Sequence, residues 1–502
     1  MSIATASDFE IAPARPLVTP LALAAACVAL ADWLFYDRQV GVSLALFLAV
    51  LGVAAIAGNR VSAPLQTRIV MTGVFVAGLV AVIEDVDLLS AIVSTLATAM
   101  FVIILTAQEA SSWQRQLFEA VTVPFRGPFR LAGDLIGALR HMKAWTPEWL
   151  GSMVAWIVPL GIFAVFLALF SSANPLIEHG LMRIDLRALF NLVSAPRLLF
   201  WLMVACLVWP LIRRRVQRMP TRRAGPEAAA VADEASDTDH LFGVRAMTRS
   251  LMLFNALFAL QSGLDLVYLW GGAALPDGMS HAEYAHRGAY SLIATALLAA
   301  GFVLIAMRPG GPAEQSGLIR PLVLAWIAQN ILLVISSILR LDLYVAAFSL
   351  TYLRLAAFIW MGLVAAGLLL ILIQITMRKP VSWLITANAA TLALVLYGCC
   401  FINTPRLVAS YNVEHSRENG GTGPSLDLRY LASLGAQAIP PLEARAKQIP
   451  ALWPIVRDYR QAEENQKRLR NWRDWSLRTW QLQRYLTNHP ETSSNPVTSG
   501  KG

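Results

Sequence analysis

Charge is what this chain has little of. Only 15% of its 502 residues are Asp, Glu, Lys or Arg, where a soluble domain carries about a quarter. A chain so poor in charge cannot cover a water-facing surface of this size, which excludes an ordinary soluble protein. Cysteine is scarce too, with four residues. Cys27 and Cys206 lie inside apolar runs, and Cys399 and Cys400 are adjacent, which seldom suits an ordinary disulfide. The seven histidines are scattered, and His281 and His286, which share one loop, have no nearby thiolate. No CxxC or His/Cys spacing suggests a metal, so no metal and no cofactor is expected. No Ser-His-Asp order, P-loop or Gly-rich dinucleotide signature is present, and Gly310-Gly-Pro312 is turn punctuation. The net charge of +9 is spread over segments flanking apolar runs and over the tail, which gives no footprint for nucleic acid.

What is abundant is apolar residues, 56% of the chain, gathered in runs of about 20, the length that crosses about 30 Å of hydrocarbon as helix. The fold class is therefore all-α, a polytopic transmembrane helix bundle of about 11 spans. The runs are Leu17–Phe35, Val40–Ala57, Ile69–Ile83, Leu88–Ala107, Leu150–Ser171, Leu198–Ile212, Ser250–Gly271, Gly288–Met307, Pro321–Leu339, Ala347–Thr376 and Trp383–Phe401. The leader, residues 1–16, holds Arg15 against Asp8 and Glu10, so the first run reads as an uncleaved span. Residues 17–223 form a first membrane region. Within it 108–149 is a basic connection, read as helices lying in the interface with their basic side toward headgroups. Residues 224–240, rich in Ala and acid, read as a flexible cytoplasmic linker. A second membrane region covers 241–401. Residues 402–490 are expected to form a small helical region, with one long helix over Ile455–Tyr485 and a break at Pro440-Pro441. Residues 491–502 close the chain as a disordered tail.

Numbering the connections alternately, 20 of the 41 lysines and arginines fall on the side of the N-terminus, seven on the other side, and 14 in the tail. The positive-inside rule then places the N-terminus in the cytoplasm and, with an odd span count, residues 402–490 outside. The expected partners are the lipid bilayer, anionic headgroups at 108–149 and 213–223, and an envelope protein at 402–490.

A few polar groups fall within or at the edge of the spans, where an ionisable group costs about 2.5–3.5 kcal/mol on insertion scales. They are Asp32, Asp265, Gln329, Asn330, Arg340, Asp342, Tyr344, Thr351 and Arg354. Asp265 reads either as a proton or ligand site or as half of a structural ion pair with Arg340 or Arg354, and the second reading is favoured. On a helix Arg340 and Tyr344 share a face, as do Thr351 and Arg354, while Asp342 cannot face Arg340. The arginines and tyrosines could clamp an anionic headgroup; the plainer reading makes them snorkelling and belt residues. Gln329 and Asn330 read as hydrogen-bonding glue between helices.

Four pieces together resemble a bacterial integral-membrane family known as domain of unknown function 4173, with its relative 4153. They are Ala31-Asp-Trp-Leu-Phe-Tyr36, Leu257-Phe-Ala-Leu-Gln-Ser-Gly-Leu-Asp265, Arg340-Leu-Asp-Leu-Tyr344 with Leu350-Thr-Tyr-Leu-Arg354, and Tyr411-Asn-Val413 with Leu426-Asp-Leu-Arg-Tyr-Leu431. The resemblance covers the chain from the first span to about Leu442 and implies a bacterial inner-membrane location, with no activity to transfer. Three functions follow in order. The first is a non-enzymatic envelope sensor, scaffold or regulator. The second is a transporter or lipid-handling carrier using the outer Asp and Arg residues. The third is a membrane-embedded transferase on a lipid-linked substrate.

Overall fold

A computed structural model describes residues 18–107, 112–142, 194–214, 244–267 and 317–490, with 156, 159–160, 162–163 and 166–167 as isolated positions. The expectations for 1–16, most of the fifth run, the eighth run, the 224–240 linker and 491–502 lie outside the described residues. Among the described residues all regular structure is helical. The chain forms two compact units, residues 1–218 with 469–502, and residues 219–468.

Unit one contains α1 (Val18–Phe35), α2 (Val42–Gly58), α3 (Leu65–Glu84), α4 (Leu88–Leu105), α5 (Trp113–Met142) and α6 (Ala195–Ile212). Unit two contains α7 (Val244–Asp265), α8 (Ile319–Phe348), α9 (Tyr352–Thr376), α10 (Val381–Cys399), α11 (Thr404–His415), α12 (Leu428–Leu431), α13 (Ile439–Ala446) and α14 (Trp453–Lys467). A last helix, α15 (Leu477–Asn488), belongs to unit one. Seven of these helices, α1, α3, α4, α6, α8, α9 and α10, are long and apolar enough to cross a bilayer, and α2 is a shorter apolar helix. This is a helical membrane protein.

Small residues let the unit-one helices approach. On α1 the buried positions Ala24, Cys27, Ala31 and Leu34 recur every three or four residues, one face of a helix. Where α3 crosses α4, a Cβ added at Gly78 would lie 2.7 Å from that of Ala97. Ser94 Oγ donates to the Gly78 carbonyl at 2.6 Å. Such close crossings by small and hydroxyl residues are how helices associate in lipid, where burial alone gives little. The α4 start is set by Asp87, which accepts from Ser90 N–H at 2.6 Å in a reciprocal capping box. Asn59 seals two helix ends. Its amide donates to the carbonyls of Ala55, Leu211 and Ile212, and its Oδ1 accepts from Arg214 N–H at 2.9 Å.

The last described stretch returns to unit one. Val42 N–H donates to the Trp475 carbonyl at 2.7 Å. A Cβ at Gly41 would sit 2.3 Å from the Asp474 carbonyl carbon, so only glycine fits there. Arg473 lies 4.4 Å over the Trp33 ring. Arg478, 5% exposed, reaches Asp85 at 2.9 Å and Glu84 at 3.7 Å. Residues 472–478 therefore sit at the end of unit one where α1 stops, α2 starts and α3 stops.

Two expectations for the tail change. The single helix over 455–485 is two helices, because Asn471, Asp474 and Ser476 take backbone N–H groups onto their side chains and break the ladder between α14 and α15. Pro440-Pro441 opens α13 rather than breaking a helix, since the first turn has no need of those N–H groups.

In unit two α7 and α8 run parallel. Asn255 donates to the Leu322 carbonyl at 3.1 Å, Phe258 meets Trp326 edge-on at 6.1 Å, and Asp265 meets Arg340. The start of α8 reaches the end of α9 through Arg320, 3.3 Å from the Ile375 carbonyl, so α9 returns antiparallel. Helices α11 to α14 form a cap whose core, with Val408, Val413, Leu431 and Leu442, is continuous with Val345 and Leu350.

Candidate functional site

Helix α8 decides where the polar groups go. The apolar run Pro321–Leu339 suggests an end near residue 339, but the helix continues to Phe348, 30 residues in all. That is about 45 Å at 1.5 Å per residue, well beyond the hydrocarbon core. Arg340, Asp342 and Tyr344 are therefore helical. Trp326, Asn330, Leu333, Ser337 and Arg340 are its buried face, at the three- and four-residue steps of one helical stripe.

Asp265, at the end of α7, is bonded to that helix by Ser336 and Arg340. It is 2% exposed and Arg340 is 3% exposed. Arg340 Nη2 donates to Asp265 Oδ1, Ser336 Oγ donates to Oδ2 at 2.6 Å, and Gln261 donates to Oδ1 at 3.1 Å. Of the two arginines weighed from sequence, Arg340 is the partner. A buried pair is worth little compared with an apolar replacement, yet removing one member strands the other charge at about 3–5 kcal/mol. A cavity of about 200 Å³ borders the pair, lined by Ser262, Gly263, Asp265, Leu266, Leu332, Leu333 and Ser336. Ser262 Oγ, Trp326 Nε1, Gln329 Oε1 and Asn330 Oδ1 are buried atoms with no hydrogen-bond partner among the described residues. Asn330 turns its amide back to the Trp326 carbonyl at 2.8 Å. The glue expected of Gln329 and Asn330 between helices is not made among the described residues.

Arg354 has a different task. Its Nη1 donates to the carbonyls of Phe348 and Ser349, and its guanidinium lies 4.5 Å over the Tyr344 ring. It caps the carboxyl end of α8, where cations meet the helix dipole. Ser349 then takes φ of 67°, a left-handed turn unusual for a residue with a Cβ. Thr351 caps α9 by accepting from Arg354 N–H at 3.4 Å. The cap holds this corner in place. Asn412 Oδ1 accepts from Leu350 N–H at 2.7 Å and its Nδ2 donates to the Leu350 carbonyl at 2.9 Å. Tyr352 N–H donates to the Tyr430 hydroxyl at 3.0 Å. Three of the four sequence pieces thus meet here. Asp342 is exposed. Burial, with the Asp342 carboxylate second, pushes the Tyr411 phenol above its ordinary value.

Asp32 lies apart, in unit one. Arg197 Nε and Nη2 grip its two oxygens at 2.8 and 2.5 Å, and Trp201 Nε1 donates at 2.8 Å. Sequence reasoning passed over Arg197 and Trp201 as its partners. It also passed over Asp134, bonded to Trp209 at 3.0 Å and paired with Arg213 at 3.2 Å, and the Arg478 site. Asn412 and Tyr430 lay within quoted pieces, but nothing in a sequence says which backbone group an asparagine will hold. Among the described residues no group of three or more His, Cys, Asp or Glu could hold a metal.

A family model described as a domain of unknown function, DUF4153, matches residues 70–444. The match is to the second of the two related families that the sequence pieces resemble. It spans Asp265, Arg340, the 349–352 corner and Asn412, and leaves Asp32 and residues 469–490 outside. No curated protein and no solved structure matches the chain.

Proposed function

We propose that this chain, which belongs to the DUF4153 family, a domain of unknown function, works as a non-enzymatic sensor, scaffold or regulator in the bacterial inner membrane. The observation that carries the reading is the clamp of Asn412 on Leu350. It ties the cap to the corner that ends α8, and α8 is the helix that holds Arg340 against Asp265. A partner that moves the cap would move α8, and the buried pair gives the seam a defined resting state. Pairing of the membrane charges, with Asp32 on Arg197 and Asp265 on Arg340, favours this over catalysis, which needs a carboxylate open to substrate. The excess of Lys and Arg beside the N-terminal side of the spans puts the cap outside the cytoplasm in this reading.

A carrier is the second reading. The cavity beside Asp265, with Ser262 Oγ unpartnered on its wall, is the feature that favours it.

The test is thiol accessibility in a full-length chain lacking its four native cysteines. Ser336→Cys is expected to resist a membrane-impermeant maleimide with the cap intact, and to react several-fold faster when Asn412→Ala loosens the corner. Equal reactivity in both backgrounds would break the proposed link between cap and seam.

A further inference from the structure

The stretch that returns to unit one carries an aromatic surface. Leu469 is 79% exposed, and Trp472, Trp475 and Trp480 are each more than a third exposed. Large apolar side chains left open so close together mark a surface that water does not cover. Their neighbours say what does. The Trp472 ring packs on Trp33 at 5.6 Å, two residues, or about 3 Å along the axis, inside the end of α1. The Trp475 carbonyl accepts the N–H of Val42, the first residue of α2. Arg478 holds Asp85, the residue that closes α3. Helix α2 leaves the side of the bilayer at which α1 ends, and α3 comes back to it. Residues 472–478 meet all three of these ends in turn, so they run along the bilayer surface and not across it. Trp33 is 52% exposed on a helix long and apolar enough to span. Its open face therefore meets lipid, and Trp472 extends that face outward.

Two arginines lie among these rings. Arg473 stands 4.4 Å over Trp33 and 5.1 Å over Trp472. Arg484 stands 5.5 Å over Trp480. Trp480 and Arg484 are four residues apart on α15, on the side away from its buried Arg478 and Leu482. Arg478 spends its charge on Glu84 and Asp85. Neither Arg473 nor Arg484 forms an ion pair with a carboxylate among the described residues.

We infer that residues 469–484 are an interfacial anchor, seated in the headgroup layer of the phospholipid bilayer at the face where α1 and α3 end. The tryptophan rings sit at the border of the acyl chains, and Arg473 and Arg484 hold lipid phosphates. Tryptophan suits that border because its body is apolar and its one N–H is polar. A guanidinium stacked on an indole keeps its edge donors free for phosphate oxygens. Lipid is the occupant, and not a protein partner, because the surface begins on Trp33, within a span, where the bilayer already lies. The anchor also explains why Leu469 and three tryptophans are open in a polar tail.

The experiment is spin-label accessibility in the full-length chain, freed of its four native cysteines and reconstituted into vesicles of phosphatidylethanolamine and phosphatidylglycerol. A nitroxide on Gln481→Cys, an exposed position of α15, reports collisions with two reagents. Oxygen concentrates in lipid, and a neutral nickel chelate, present on both sides, stays in water. The expected result is more frequent collision with oxygen than with the chelate. Trp472→Ser with Trp480→Ser is expected to lower the oxygen-to-chelate ratio severalfold. Trp472→Tyr with Trp480→Tyr should restore it, since tyrosine also suits the interface; a role in packing alone would not predict that rescue. Arg473→Gln with Arg484→Gln should lower the ratio as well. A chelate excess in the parent chain would place the surface in water and overturn the inference. Rare collision with both reagents would bury the surface against protein and overturn it equally. A ratio indifferent to the serine pair would do the same, and one indifferent to the glutamine pair would remove the arginines as phosphate ligands.

Discussion

Asn412 satisfies both backbone groups of Leu350, accepting from its N–H at 2.7 Å and donating to its carbonyl at 2.9 Å, in a site where both residues are buried. Shortening this side chain orphans both a donor and an acceptor of Leu350. Asn412→Ala is expected to cost about 2–4 kcal/mol, since each buried polar group left unpaired costs about 1–3. Asn412→Asp keeps the acceptor and loses the donor, so its cost should be nearer the charge-burial penalty than zero. Thermal unfolding in detergent checks both, and protease nicking near residue 349 should accelerate in step.

The two membrane carboxylates are expected to differ. Asp265 and Arg340 are each 4% exposed at the side chain, whereas Arg197 is 43% exposed opposite Asp32. Asp265→Ala strands a charge with no route to water and should lower stability by about 3–5 kcal/mol. Asp32→Ala leaves Arg197 able to turn to solvent, and the loss should stay near the smaller value of surface pairs, below about 1 kcal/mol. Chemical denaturation of the two variants side by side gives the comparison, and equal losses would show that exposure does not govern the difference.

At the end of unit one the contact of α15 should respond to acid. Burial, with Asp87 adding, pushes the Asp85 carboxyl above its ordinary value despite the opposing Arg478. A carboxyl raised by folding makes the folded state bind its proton more readily than the unfolded state does. Its contribution to docking is therefore present at low pH and lost as pH rises through the raised value. Hydrogen exchange of residues 477–488, corrected for intrinsic rates, should slow between neutral pH and the unfolded carboxyl value of about 3.9. Asp85→Asn should abolish that pH dependence and leave α15 docked. Arg478→Gln should release it, because Glu84 and Asp85 then face each other without a cation.

Much of this architecture was legible in the residues. The ends of α1, α4 and α6 lie within a few residues of those read from the apolar runs, because hydropathy is a one-dimensional property that lipid enforces directly. The caps were harder. The end of α8 hid behind Arg340 and Asp342, which look like an interface on a hydropathy scale and yet sit within the helix. The polar stretch 468–476 hid a break inside an otherwise helical pattern, because Asn471 and Ser476 act through geometry rather than composition. At the candidate site the residue types were visible and the pairings were not. Asp265 had two arginines in reach by depth alone, and only packing chose Arg340. Asp32 had no visible partner, since Arg197 lies 165 residues away in sequence. The division of labour between Arg340, which pairs, and Arg354, which caps, depends on which side of the α8 end each falls.

The most direct test of the account is a double-mutant cycle on Asp265 and Arg340, using Asp265→Asn, Arg340→Gln and the pair together, with unfolding free energy as the readout. The account predicts that each single variant loses about 3–5 kcal/mol and that the double variant loses no more than either, a coupling of several kcal/mol. Losses that simply add, or an Asp265→Asn chain as stable as the parent, would contradict it.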